Sequence, residues 1–256
     1  MLNVSRLRLM RYPAYLLLPL SLIITAAHAA SYAAPAKSAA PATAPAATAA
    51  PAKSTSEKPM PVTAPVDLFN GKDLSGWSYI IGDAPSDITK VCSVKEGVLV
   101  CVGSPNGYLQ VGGVRENYLL HFEWRWPTTN PKNNGGGLIN MTAGALQENL
   151  WPICFQAQLK TQSAGDYIVM SSATSAEAGP GKTLVKQKAV SEKPVGEWNA
   201  ADVVVRGDTI TYIVNGVEQN KLTKCVPSFG KIGFQVEGYA YEMRNVKLLP
   251  LPSATP

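Results

Sequence analysis

Histidine is almost missing from this sequence: of 256 residues only two are His, and His28 lies in an apolar leader. His121 is the one left in the body of the chain, and no Cys-x-x-Cys pair occurs, so a His- or Cys-built metal centre has little to draw on. Also missing are G-x-S-x-G, H-E-x-x-H, a Walker loop and a G-x-G-x-x-G after a strand, which removes the main motif support for hydrolase elbows, zincins and nucleotide sites. Gly135-Gly136-Gly137 lacks the Lys-Ser/Thr and the following helix of a phosphate loop, and reads as a tight start to a strand. Basic runs are absent too. The formal charge of +5 falls to about +2 once Arg6, Arg8 and Arg11 of the leader are set aside, and the lysines are scattered. That pattern gives no support for nucleic-acid binding. Helical periodicity is lacking except for a short stretch at Thr142–Glu148, and no repeat recurs at solenoid or propeller spacing.

What is present divides into four parts. Residues 1–29 read as a secretory signal, with Arg6, Arg8 and Arg11 ahead of the apolar run Tyr15–Ala27 and an A-x-A site at Ala27-His28-Ala29. That run is too short to span a membrane comfortably; an uncleaved anchor is the alternative. Residues 30–65 are nearly all Ala, Pro, Ser, Thr and Lys, a composition that cannot offset chain entropy and implies a disordered tether. Residues 66–251 form one domain, and 252–256 a tail. The expected location is periplasmic or secreted, with no stable membrane span after cleavage. All four cysteines, Cys92, Cys101, Cys154 and Cys225, fall in the exported part, where disulfides are permitted. If Glu96-Gly97 is a two-residue hairpin turn, Cys92 stands opposite Cys101, and the spacing predicts a bridge between them.

The domain reads as all-β. Short alternating runs such as 92–102, 118–126, 153–160, 201–218 and 231–249 are punctuated by Gly, Asn and Pro, as in a β-sandwich of two antiparallel sheets. Alternation also sorts each strand into two faces. Phe122, Trp124 and Trp126 oppose His121, Glu123 and Arg125. Phe155, Ala157 and Leu159 oppose Gln156, Gln158 and Lys160. Ile232, Phe234 and Val236 oppose Gln235 and Glu237. The second face of each strand carries planar amides, carboxylates and guanidinium groups, side chains suited to a hydroxyl-rich sugar ring. An ordinary wetted sheet face is the alternative. Glu123 and Glu237 would also serve as paired carboxylates of a glycosidase if they lie close. Trp77, Trp124, Trp126 and Trp198 read as core, and Trp151, before Pro152, as the better stacking platform.

Leu68-Phe69-Asn70-Gly71-Lys72-Asp73-Leu74-Ser75-Gly76-Trp77 resembles the opening of the 3-keto-disaccharide hydrolase domain. The resemblance runs on in order through Val94–Leu99, Phe122-Glu123-Trp124-Arg125, Asn134-Gly135-Gly136, Cys154–Leu159 with Gly165-Asp166, Gly196-Glu197-Trp198-Asn199, Val214-Asn215-Gly216 and Gly230–Gly238 to Arg244-Asn245-Val246. It implies a concanavalin-like jelly roll with a concave sugar-binding sheet. It also implies cleavage of glycosides oxidised to a ketone at sugar carbon 3. Such a ketone acidifies the hydrogen on C2, so a general base can remove it, expel the C1 substituent, and let water add back. No cofactor is expected for that step. A divalent cation is an option for which the sequence offers no ligand cluster.

One position departs from the family pattern: a glutamate normally stands where this chain has Gln156, and an amide cannot abstract a proton. Glu237 is then the expected catalytic acid/base. Arg125 and Arg244 are the expected clamps on oxygen, with Glu123, Gln156, Gln158, Gln235 and Trp151 as further substrate contacts. Arg244 also has a structural reading, as an ion-pair partner of Glu242 or Glu237. Asp166, after Gly165, reads equally as a turn residue. Three functions follow as expectations: a 3-keto-glycoside hydrolase, a non-catalytic carbohydrate-binding module of the same fold, or a structural envelope protein tethered by the Ala/Pro-rich leader, which would neither bind nor turn over sugar.

Overall fold

A computed structural model describes residues 57–127 and 132–251. The expected signal at 1–29, residues 30–56 of the expected tether, and the tail at 252–256 lie outside the described residues; the tether's last part is ordered, with Met60–Pro61 paired to Arg115–Glu116 and Val62 buried. Two sheets pack face to face. Sheet I runs in the order Thr183–Leu184, Tyr167–Met170, Trp151–Gln158, Gly136–Gln147, Gly230–Val236, Gly107–Glu116, Trp77–Ile81, Ala84–Ser86. Sheet II runs Val217–Leu222, Thr209–Val214, Asn199–Arg206, Tyr118–Arg125, Tyr241–Pro250, Val98–Cys101, Cys92–Lys95. Every pairing is antiparallel except the short contact of Met60–Pro61 with Arg115–Glu116. Hairpin neighbours such as 136–147 and 151–158 alternate with pairings of strands far apart in sequence, such as 230–236 with 107–116 and 118–125 with 241–250, as in a jelly roll. Among the described residues the one helical piece is a 3-10 turn at Ile88–Lys90. The stretch Thr142–Glu148, which hinted at a helical turn, is strand through Gln147. No helix among the described residues is long and apolar enough to cross a membrane.

The inward faces are those that alternation marks as apolar. Tyr118, Leu120, Phe122 and Trp124 of sheet II are sealed from solvent, as are Phe155, Ala157, Phe234 and Val236 of sheet I. Phe234 sits at the centre, with the Phe122 ring edge-on at 5.1 Å and the Trp77 ring stacked at 5.7 Å. Burying each such ring contributes about 2–3 kcal/mol, so this inter-sheet layer dominates the stabilisation. At the rim of sheet II, the Glu96-Gly97 turn sets Cys92 against Cys101, and their sulfurs are bonded. Cys154 and Cys225 remain buried free thiols.

Candidate functional site

The strand registers fix what lies on the outer face of sheet I. Tyr108 stands opposite both Ile80 and Gln235; Gln110 stands opposite Ser78 and Gly233. Leu138 pairs with Gly233 on one side and with Gln156 on the other, and Gly136 pairs with Gln158. Residues paired across strands share a face, so Tyr108, Gln110, Gln235, Gln156 and Gln158 form one continuous floor. Gly136 leaves a gap in that floor, and Gln156 fills it. A Cβ on Gly136 would stand 2.6 Å from Gln156 Cγ and 2.9 Å from its Nε2. Gln156 and Gln235 are each only 2% exposed, and Gln235 Oε1 has no hydrogen-bond partner among the described residues.

An arched hairpin covers this floor. In the sheet, strands 136–147 and 77–81 are separated by 230–236 and 107–116, yet the carbonyl of Asn149 lies 3.3 Å from where a Cβ on Gly82 would sit. The hairpin tip must therefore cross above the intervening strands. Register shifts at Trp151/Ile153 and Ile153/Phe155 bend it, and Asn140, Glu148 and Asn149 adopt positive φ. The arch carries Trp151 into an apolar cluster with Ile80, Tyr108, Leu138, Met141, Cys154 and Met170. Trp151 is 3% exposed, so it is a buried prop for the hairpin and not the exposed platform that its place before Pro152 suggested. Beside the arch runs a groove of about 460 Å³, lined by Tyr108, Gln110, Val114, Met141, Phe229 and Lys231 among others.

Glu237 lies just past the end of strand 230–236, two residues beyond Gln235 and so on the same face. Asn134 Nδ2 donates to Glu237 Oε2 at 2.8 Å. Burial pushes the Glu237 carboxyl up to about 7; the Glu148 carboxylate on the hairpin tip adds to the rise and Lys160 opposes it. A carboxyl near 7 is balanced between giving and taking a proton at neutral pH. Gln158 is committed elsewhere. Its Oε1 accepts the backbone N–H groups of Leu159 at 2.9 Å and Lys160 at 3.0 Å, capping the end of its own strand.

Three of the expected contacts are not here. Glu123, Arg125 and Arg244 sit on the outer face of sheet II, on the far side of the sandwich. Alternation told inward from outward but not which sheet each strand joins, and strand 118–125 lies between 199–206 and 241–250 of sheet II. There Arg244 Nε donates to Glu123 Oε2 at 2.7 Å, Asn245 Nδ2 donates to Glu123 Oε1 at 2.8 Å, and Arg125 pairs with Glu242. Burial alone would raise the Glu123 carboxyl, but the Asn245 and Arg244 bonds outweigh it and hold it below the usual range. Both guanidinium groups lie over the Trp198 ring, at 4.1 Å for Arg244 and 4.7 Å for Arg125. Trp198 is consequently a half-buried surface residue and not core. His121 Nδ1 meets Asp202 at 2.7 Å on the same face. Glu123 and Glu237 therefore do not form a carboxylate pair across one sugar. Asp166 is no mere turn residue: its Oδ1 accepts the backbone N–H of Lys186 at 2.9 Å.

Asn134, Tyr108 and Glu148 join the site without having been singled out. Asn134 stands next to the three glycines that open strand 136–147, a signal that was visible; Tyr108 and Glu148 depend on register and on the hairpin's arch, which were not. Among the described residues no three His, Cys, Asp or Glu side chains converge as a metal-ligand set.

This architecture recurs among sugar-active proteins. A candidate glycosyl hydrolase from Parabacteroides distasonis superposes with a TM-score of 0.55 at 20% identity, covering 74% of this chain and 94% of its own. A second from the same organism gives 0.52 at 20% identity, over 73% and 99%. The β-glucanase of Bacillus licheniformis gives 0.51 at 12% identity, over 74% and 99%. At these identities the likeness is one of jelly-roll fold. No curated protein matches the sequence significantly. A family model, however, matches residues 64–249 in one stretch, from the opening Leu68–Trp77 motif to the last strand, and by that match the chain belongs to the 3-keto-alpha-glucoside-1,2-lyase-like domain family.

Proposed function

We propose that this protein cleaves 3-keto-glycosides by general acid–base chemistry at Glu237, outside the cytoplasm. The Glu237 carboxylate takes the proton from C2 of the oxidised sugar. The released electron pair forms the C1=C2 double bond as the C1–O bond breaks, and its electrons leave with the aglycone oxygen, which gains a proton. Water adding across C1=C2 regenerates the 3-keto sugar. The observation that carries this reading is the Glu237 carboxyl, raised to about 7 by burial and held by Asn134 on the sheet face that also carries the buried Gln156 and Gln235. The charge that develops on the C3 oxygen needs hydrogen-bond donors, a role that the side-chain N–H groups of Gln156 and Gln235 have the right chemistry to fill. Jelly-roll neighbours that handle sugars and the family's lyase description agree with it.

The test is incubation of the pure protein with 3-keto-trehalose or a 3-keto-glucoside beside Glu237→Gln. The expected outcome is turnover by the parent protein only; absence of turnover by the parent ends the proposal. A second reading, carbohydrate binding without cleavage, is favoured by Gln156, where the family pattern carries a glutamate. Gln156→Glu separates the two. If cleavage appears only in that variant, the natural chain is a binder that has lost its base.

A further inference from the structure

We infer that residues 57–62 form a strap that completes the groove beside the arch, and that the completed groove binds an uncharged, hydroxyl-rich sugar unit with Glu57 as one of its contacts. The strap lies ahead of the family match at 64–249, so the wall it supplies comes from outside the family domain. Such a site binds sugar whether or not Glu237 removes a proton.

The strap has a built seat. Strand 107–116 pairs with strand 77–81 only from Tyr108 to Val111, where Trp77 begins the partner strand. Beyond Val111 that edge is open to another strand, and Met60 and Pro61 pair there in parallel with Arg115 and Glu116. A bulge shapes this end of the strand: a step of four residues, Val111 to Arg115, stands against a step of two, Ile232 to Gly230. Within the bulge Gly113 makes room, since a Cβ there would stand 3.0 Å from Glu57 Oε1 and 3.2 Å from Met60 Cε. Val62, 8% exposed, then anchors the strap in the inter-sheet core.

The lining decides what fits. The groove holds about 460 Å³, within the range of small-ligand pockets. Glu57 and Asp83 accept hydrogen bonds, Lys231 donates them, and Tyr108, Gln110 and Thr142 do both. These polar groups stand among apolar side chains, of which Phe229, 40% exposed, offers an aromatic face to the C–H side of a sugar ring. A purely apolar ligand would strip water from the polar groups without replacing it, whereas the hydroxyls of a pyranose pair with them. The lining carries two carboxylates and one ammonium, so its formal charge is negative and a sugar acid is repelled.

Calorimetric titration of the full chain tests this with three neutral trisaccharides, maltotriose, cellotriose and laminaritriose, and with the acidic trigalacturonate. Glu57 is exposed, so Glu57→Ala removes the contact without disturbing the core. Gly113→Val acts from the other side, filling the seat while Glu57 stays in the chain. The expected result is binding of at least one neutral trisaccharide, weakened about tenfold by either substitution. Thermal melts of Glu57→Ala should match the parent. Trigalacturonate should bind at least tenfold more weakly than the neutral sugar, and gain affinity in Glu57→Gln, which keeps the shape and drops the charge. Failure of all three neutral sugars to bind overturns the inference, as does equal or tighter binding of the acid. A neutral sugar that binds the parent and both variants alike is held elsewhere; that result also overturns the inference, and leaves the reaction at Glu237 to be judged by its own assay.

Discussion

The side chain of Gln156 lies across Gly136, close enough that a Cβ there would stand 2.6 Å from its Cγ. The glycine is the space into which this amide folds. Gly136→Ala should therefore push Gln156 out of line, at a cost of about 1–3 kcal/mol in stability. Affinity for the sugar should fall at least tenfold, a larger effect than the loss of stability alone would give. Calorimetric titration with an oligosaccharide or glucoside, together with Tm, checks both halves.

Glu237 gives stability a definite pH dependence. Its carboxyl rises from 4.5 to about 7 on folding because burial disfavours the charge. Between those values the folded protein holds a proton that the unfolded chain has released. The contribution is thus fully present below about pH 4.5 and is lost as pH rises through about 7. Glu237→Gln keeps the shape without the charge. It should leave Tm unchanged at pH 4 and raise stability at pH 8 by up to about 2 kcal/mol, after allowance for the residue's partial exposure. Thermal melts across pH 4–9 are the measurement.

The ion pairs on sheet II are bystanders to the chemistry. Arg244→Gln removes one guanidinium from Trp198 and frees Glu123, whose other oxygen keeps its bond from Asn245. These groups are partly solvated, so the loss of stability should stay near 1 kcal/mol or below. Turnover of a 3-keto-glycoside, or sugar affinity, should be unaltered. A large fall in either would move the site to the other side of the sandwich.

The Cys92–Cys101 bridge closes a hairpin at the rim, with nine residues of separation. A loop that short restrains the unfolded chain by about 2.5 kcal/mol. Replacing both by Ser should lower Tm by roughly 5–10 °C in a domain of this size, without altering sugar affinity. Matched melts of the oxidised protein and the double variant would reveal it.

Much of this molecule was legible because β-structure writes its faces locally. Alternation separated Phe155, Ala157 and Phe234 from Gln156 and Gln235, and the two-residue turn at Glu96-Gly97 put Cys92 opposite Cys101. What stayed hidden is non-local. Nothing in Phe122–Arg125 says that this strand joins Tyr241–Pro250 and not Gly230–Val236, since outward-facing Glu and Arg look alike on either sheet. Glu123, Arg125 and Arg244 were therefore grouped with Gln156 and Glu237 by their chemistry alone. The arch over the floor was also unreadable, because it depends on two register shifts near Trp151 and on the contact of Asn149 with Gly82. Trp151 consequently looked exposed in sequence and is buried in the fold.

The most direct trial follows proton removal from C2 by Glu237. Initial rates would be compared for a 3-keto-glucoside carrying hydrogen or deuterium at C2, with the parent protein and with Glu237→Gln. The account predicts slower turnover of the deuterated sugar and a loss of at least about a hundredfold in the variant. Undiminished turnover by Glu237→Gln would contradict it.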